Sequence, residues 1–339
     1  MCCRGNVSSP RRRFLIACAS IALAACDKFR SQAPERGPIV AMFPGSIDDG
    51  GFVEAGYRGL MRVRNELRIP VHYVDKVAVE DQAMKTALRE LADSDAKMVI
   101  AYGDPASDAV QRIAWEFPDQ RFTLIQGHLT RPNLAIYEVI QEQASWLAGA
   151  AAGMLTRSDV VGHISGERAA PALRARAAFA AGLAATNPKA KLLTHFSGTR
   201  DDAAAAKRVA LAEINAGADI LYVMLDPGRM GATEACRERG VKQIGETRDS
   251  VASMPDVFVA SALADAGVAV FQCARDLYDN LWKGDIVRRI GVRNPEAVEL
   301  VLAPDVPERV RARVVLLTQE IAAGSIKIPT EYAGSEFVA

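Results

Sequence analysis

The side chains with chemistry to offer are four histidines, two cysteines in the body of the chain, and several acids that follow apolar runs. His72, His128, His163 and His195 are too scattered for the H-x-x-x-H spacing that sets two zinc ligands on one helix face. His163 and His195 fall within or at the end of apolar runs and read as packed or capped residues, whereas His128 follows such a run and can face a cleft. Cys236 and Cys273 fit no metal-ligand spacing; they read as two buried free thiols on different helices, with a disulfide as the alternative in an oxidising compartment. No G-x-S-x-G elbow occurs, and Ser165-Gly166-Glu167 reads as a loop. The stretch from Pro44 to Gly51 lacks the G-x-G-x-x-G spacing that lets backbone amides approach a pyrophosphate, and Asp48 and Asp49 would repel one. A phosphate-binding G-x-x-x-x-G-K-[ST] loop is absent too. These residues predict a protein that binds, with no metal, no cofactor and no catalytic set.

Charge narrows the partners. Lys plus Arg number 41 and Asp plus Glu number 41, so no basic excess exists to hold a nucleic-acid backbone. The expected partner is a small molecule.

The elements that must position these groups alternate regularly. Apolar runs at 39–43, 71–74, 97–102, 121–125 and 134–137 predict strands, and helix-period stretches at 52–67 and 79–92 separate the first three. Asp104 stands where a helix N-cap belongs, with Pro105 at the first helical position. The rhythm restarts with a small-residue helix at 141–156. Strands at 160–164, 191–196, 220–224 and 242–245 then alternate with helices at 170–186, 202–216 and 230–240. A strand at 257–261 leads into a helix at 265–283, and a short strand at 299–302 precedes a last helix at 307–323. This alternation predicts an α/β fold of two doubly wound parallel-sheet lobes around a ligand cleft, with the site at the carboxyl ends of the strands.

The first residues are a targeting signal and stand outside the fold. Arg11, Arg12 and Arg13 precede an uncharged run, 14–25, which is shorter than the about 20 apolar residues a membrane span needs. Leu23-Ala-Ala-Cys26 resembles the lipobox of bacterial lipoproteins, which implies cleavage after residue 25 and a lipid anchor on Cys26. Pro10-Arg-Arg-Arg-Phe-Leu15 also looks like a twin-arginine motif, so the export route stays open. Asp27 resembles an inner-membrane retention signal. Residues 26–37 read as anchor and polar tether, on a cell-membrane face turned to the periplasm or exterior.

Across the remaining chain, short fragments in a fixed order resemble the basic membrane protein family, solute-binding lipoproteins of ABC transporters typified by purine nucleoside receptors. They begin with Asp49-Gly-Gly-Phe52 and Ala55-Gly-Tyr-Arg-Gly59 and continue through Val99-Ile-Ala-Tyr-Gly103 and Phe117-Pro-Asp119. Trp146-Leu-Ala-Gly149, Phe179-Ala-Ala-Gly182, Asn187-Pro188, Gly217-Ala-Asp219 and Ile244-Gly245 follow. The chain is also similar to Med-type lipoproteins. The resemblance implies a type I periplasmic-binding-protein fold, a monomer that delivers ligand to a permease and ATPase. It places lobe 1 at 38–140 plus 262–290, and lobe 2 at 141–261 plus 291–339.

The resemblance also implies site residues. Phe52 matches the stacking aromatic, with a hydrophobic contact at the helix start as the alternative, and Asp49 matches the acid of that loop or caps the helix. Asp104 follows a strand and either accepts from the ligand or caps a helix, while Asp226-Pro-Gly228 matches a small-residue loop beside the ligand. Asp249 matches the second of two paired acids. Departures alter the set: Val53 replaces an Asn, Thr247 the first of the paired acids, and Ala264 a Lys. Arg200 stands where nucleoside receptors carry a second aromatic, and Glu246 is an added acid. A changed ribose clamp points to a bare nucleobase or another small polar heterocycle over an intact nucleoside.

Overall fold

The computed structural model describes Met1 and residues 37–339. The expectations for the signal (1–25), Cys26 and nearly all of the tether fall on residues outside that set.

Two six-stranded sheets organise the chain from Pro38 onward. β1 (Ile39–Met42), β2 (Val71–Val74), β3 (Met98–Tyr102), β4 (Phe122–Ile125) and β5 (Leu134–Val139) form the first sheet with β11 (Val287–Ile290), in the order β11-β5-β4-β3-β1-β2. The second contains β6 (Val160–Ser165), β7 (Lys191–Phe196), β8 (Ile220–Met224), β9 (Lys242–Glu246), β10 (Phe258–Ala264) and β12 (Val298–Leu302), ordered β12-β10-β9-β8-β6-β7. Every pairing is parallel except β10 with β12. The antiparallel β12 departs from the all-parallel expectation, because spacing alone carries no strand direction. The chain passes between sheets after β5, after β10 and after β11. β10 stays in the second sheet to Ala264, so its passage falls later than an expected break at 261/262.

Buried runs explain the strands. β1 and β3 are buried at every position, as strands covered on both faces must be. Helices α1 (Phe52–Glu66), α2 (Asp81–Ala92) and α3 (Ser107–Glu116) follow the first strands, while α4 (Gln141–Leu155) and α5 (Ala170–Thr186) form the most extensive helix pair of lobe 2. α6 (Ala203–Asn215) packs on α7 (Arg229–Arg239), and α8 (Ala266–Tyr278) packs on α1. α9 (Glu308–Ala322) lies against α4. Gly240, in the left-handed region at φ 65°, ends α7 as a C-terminal glycine does.

Two helix boundaries differ from expectation. The 265–283 helix stops at Tyr278, where the amides of Leu281 and Trp282 turn back to the Asp276 carbonyl. Asp104 does not cap a helix: it opens a 3₁₀ turn, Asp104–Ala106, ahead of α3. The strand β11 was not anticipated. Cys236 and Cys273 are free and buried, on α7 and α8.

Lobe 2 also buries groups away from the cleft. His163 of β6 meets Thr194 Oγ1 at 2.9 Å, and burial with Arg176 nearby pushes its pKa down to about 3, so the ring is neutral. Glu213 of α6 is fully buried with neither carboxylate oxygen partnered among the described residues. Burial raises its pKa well above the ordinary 4.5. A group so raised stabilises fully below its unfolded pKa and loses that contribution as pH rises through the folded value. Glu213→Gln keeps the shape and removes the titration, so its stability advantage over the native chain should widen as pH climbs from about 5 to about 8. Denaturant curves that differ equally across that range would rule this out.

Candidate functional site

The loop between β1 and α1 is shaped by its acid and its glycines. Asp49 accepts from the amides of Gly51 at 2.7 Å, Val53 at 3.0 Å and Glu54 at 3.0 Å. It therefore satisfies the otherwise unpaired donors at the start of α1. Phe52 is half-buried, its ring 4.5 Å from that of Tyr102, whose hydroxyl donates to the Phe52 carbonyl at 2.7 Å. Gly103 (φ 92°) lies beneath the same ring, and a β-carbon there would stand 3.4 Å from it. The aromatic thus sits where the carboxyl ends of β1 and β3 meet.

Three loops of lobe 2 converge on the facing edge. Arg200, after β7, grips Asp226, after β8, with Nε to Oδ2 at 2.6 Å and Nη2 to Oδ1 at 3.3 Å. Its Nη2 lies 3.6 Å from Oε1 of Glu246, the last residue of β9. Gly228 donates its amide to the Arg200 carbonyl at 3.0 Å, and a β-carbon at 228 would come within 2.6 Å of that oxygen. Gly228 is thus a packing requirement of the cluster.

The charges here are unequally settled. Burial pushes Glu246 up to about 7; Arg200 and Arg229 offset this in part, and Asp226 adds to it. Its Oε1 is buried and accepts no hydrogen bond among the described residues. Burial would lower Arg200, but the Glu246 and Asp226 carboxylates hold it above its usual value. Arg229 is held below its usual value by burial and by Arg248 beside it.

Lobe 1 touches this cluster through two glycines. A β-carbon at Gly51 would overlap Asp226 Oδ1, and one at Gly50 would lie 3.2 Å from Arg229 Nη2 and 3.5 Å from Arg248 Nη1. At this end the lobes meet. Open volume, about 880 Å³, lies elsewhere in the interlobe space, between Asp104, Gln126 and His128 of lobe 1 and Glu142 and Arg174 of lobe 2. Ile328 of the C-terminal segment also borders it. Asp104 meets His128 Nδ1 at 2.6 Å there, so this histidine does face the cleft.

Of the residues expected at the site, Arg200, Asp226, Gly228 and Glu246 form one cluster. Phe52 and Asp104 flank Gly103 on the opposite lobe, and only Asp104 borders the open volume. Asp249 has Oδ1 engaged by the amides of Val251 and Ala252, capping the turn after β9. Arg229 and Arg248 were missed, although each adjoins a residue already singled out. Among the described residues no group of His, Cys, Asp and Glu could hold a metal ion. No helix there is long and apolar enough to cross a membrane.

Two α/β sheets facing each other across a polar cleft at their carboxyl edges make up the periplasmic-binding-protein fold. The family model described as ABC transporter substrate-binding protein PnrA-like matches residues 38–331, and the chain belongs to that family. Basic membrane protein C of Borreliella burgdorferi is 24% identical over 348 residues, covering 95% of this chain and 97% of that one. Transcriptional activator protein med of Bacillus subtilis is 21% identical over 221 residues, covering 64% and 68%. A solute-binding protein of an ABC transporter system from Aeropyrum pernix K1 shares the fold at a TM-score of 0.75 and 19% identity, covering 87% and 94%.

Proposed function

We propose that this chain is the substrate-binding component of an ABC importer, tethered through a lipid on Cys26, and that it takes a purine-like base or another small polar heterocycle between its lobes. The observation that carries the ligand class is a half-buried aromatic at the carboxyl edge of lobe 1, Phe52, together with an acid at the carboxyl edge of lobe 2, Glu246, whose buried Oε1 accepts no hydrogen bond among the described residues. A flat ring with N–H groups on its edge answers both: stacking on Phe52, donation to Glu246. Arg200 serves the same edge by holding Asp226 and Glu246 in place. Asp49, Asp104, Asp226, Gly228 and Asp249 shape the loops around it, four of them through backbone or guanidinium contacts already described. A permease and ATPase would receive the ligand from a monomeric receptor, and no catalysis is assigned to it.

Mass spectrometry of small molecules that co-purify with the chain, followed by calorimetric titration, tests this. A nucleobase or related heterocycle is the expected occupant. Tight binding of guanosine or inosine with no response to free bases would overturn it. Phe52→Ala should weaken the ligand by about 1–3 kcal/mol with an unchanged melting profile, since base stacking is of that size. Unchanged affinity would reduce Phe52 to packing against Tyr102.

One observation favours a second reading, a regulatory lipoprotein on the same scaffold. Two of the acids carried over from nucleoside receptors, Asp49 and Asp249, have oxygens committed to backbone amides, and med is a relative. Permease and ATPase genes beside this one would favour transport.

A further inference from the structure

The two arginines that no expectation covered sharpen the ligand class, and the inference rests on the heterocycle reading above. Arg229 and Arg248 converge on Gly50: their Nη2 and Nη1 atoms stand 3.2 Å and 3.5 Å from one point above its α-carbon. Neither has a carboxylate within ion-pair distance among the described residues. Arg229 donates instead to the backbone carbonyl of Asp226 at 3.0 Å. The nearby acids are otherwise engaged, Asp226 by Arg200 and Asp49 by three amides. Asp226, Glu246 and Asp49 offset part of the charge on Arg229 from a distance, but two guanidiniums gathered at one point without an ion pair are a cost that a bound anion reduces.

We infer that the ligand is an anionic heterocycle, its charged oxygen held between the guanidiniums of Arg229 and Arg248 and the Gly50–Gly51 backbone, with Glu246 accepting an N–H from the same ring. The anion sits where lobe 1 meets lobe 2, so it joins the lobes as they close. Glycine at 50 and 51 leaves the backbone bare at that point, and a side chain at 51 would strike Asp226. Alternating C–O⁻ and N–H groups along one ring edge, as in oxidised purines, match this order of donors and acceptor.

Calorimetry on the purified chain at neutral pH, with urate (a monoanion) and hypoxanthine (neutral) as probes, tests the charge. Urate should bind at least about tenfold more tightly, as charge-assisted hydrogen bonds allow. Arg248→Ala, at an exposed side chain with no ion-pair partner, should erase most of that advantage by weakening urate far more than hypoxanthine. Added salt should weaken urate alone. Hypoxanthine binding as tightly as urate, or urate indifferent to Arg248→Ala, would overturn the inference and leave the heterocycle reading standing. Failure of both probes to bind would overturn both.

Discussion

Gly182→Val should prevent lobe 2 from folding stably. α4 and α5 approach so closely that each uses a glycine as its contact point. A β-carbon at Gly182 would overlap the Trp146 carbonyl oxygen and come within 2.9 Å of the Ala150 amide nitrogen. One at Gly149 would overlap the Phe179 carbonyl and come within 2.9 Å of the Leu183 nitrogen. The obstacles are backbone atoms of a closely packed helix, so no side chain can swing aside. Alanine at 182 gains about 1 kcal/mol of helix propensity but must force the helices apart, for a net loss of about 1–3 kcal/mol. Valine adds two methyl groups at the same point and should cost more than about 4 kcal/mol, which exceeds the usual range for single substitutions. Urea unfolding followed by circular dichroism measures both. A Gly182→Val chain with a native midpoint would mean that α4 and α5 are not packed at this distance.

That contact also explains why part of the fold was legible. Trp146-Leu-Ala-Gly149 and Phe179-Ala-Ala-Gly182 stood out as separate fragments, and they are the two halves of one backbone contact. Strands such as β3 and β8 were readable because burial on both faces demands unbroken apolar runs. β11 was not, since Val287-Arg-Arg-Ile exposes three of its four residues and owes its place to distant partners. Arg288 pairs with Asp276 at 3.2 Å and Arg289 with Glu138 at 3.1 Å. At the site, Arg200, Asp226 and Glu246 could be picked out singly through the family resemblance, each at or beyond the end of a strand. That they settle one another's charge depends on register between β8 and β9 and on the approach of the β7 loop. The capping role of Asp49 was foreseeable as one of two roles, an acid just ahead of a helix. The lining of the cavity was legible only at Asp104 and His128, because Gln126 and His128 share one loop while Glu142 and Arg174 come from two later helices, α4 and α5.

Arg200→Ala should be the most damaging change within the site. The guanidinium faces two acids at once, and its removal strands both. Breaking a buried ion pair costs about 3–5 kcal/mol, because the partner charge stays buried. Arg200 retains 37% exposure while Asp226 and Glu246 keep 17% and 12%, so water screens part of the loss and about 2 kcal/mol is expected. The pH dependence separates this from lost packing. Glu246 already stands near 7 against an ordinary 4.5, so its stabilising contribution is complete below about 4.5 and fades as pH rises through about 7. Arg200 is what holds it that low, so without the arginine the pKa rises further and the loss at alkaline pH deepens. Melting curves should therefore show a larger Arg200→Ala deficit at about pH 8 than at about pH 5. Glu246→Gln in the same background should flatten that dependence and leave the residual cost of an unpaired Asp226. A deficit that is the same at both pH values, or one untouched by Glu246→Gln, would mean that Arg200 matters for the packing of its aliphatic stem, whose Cγ lies close over Gly166, and not for its charge.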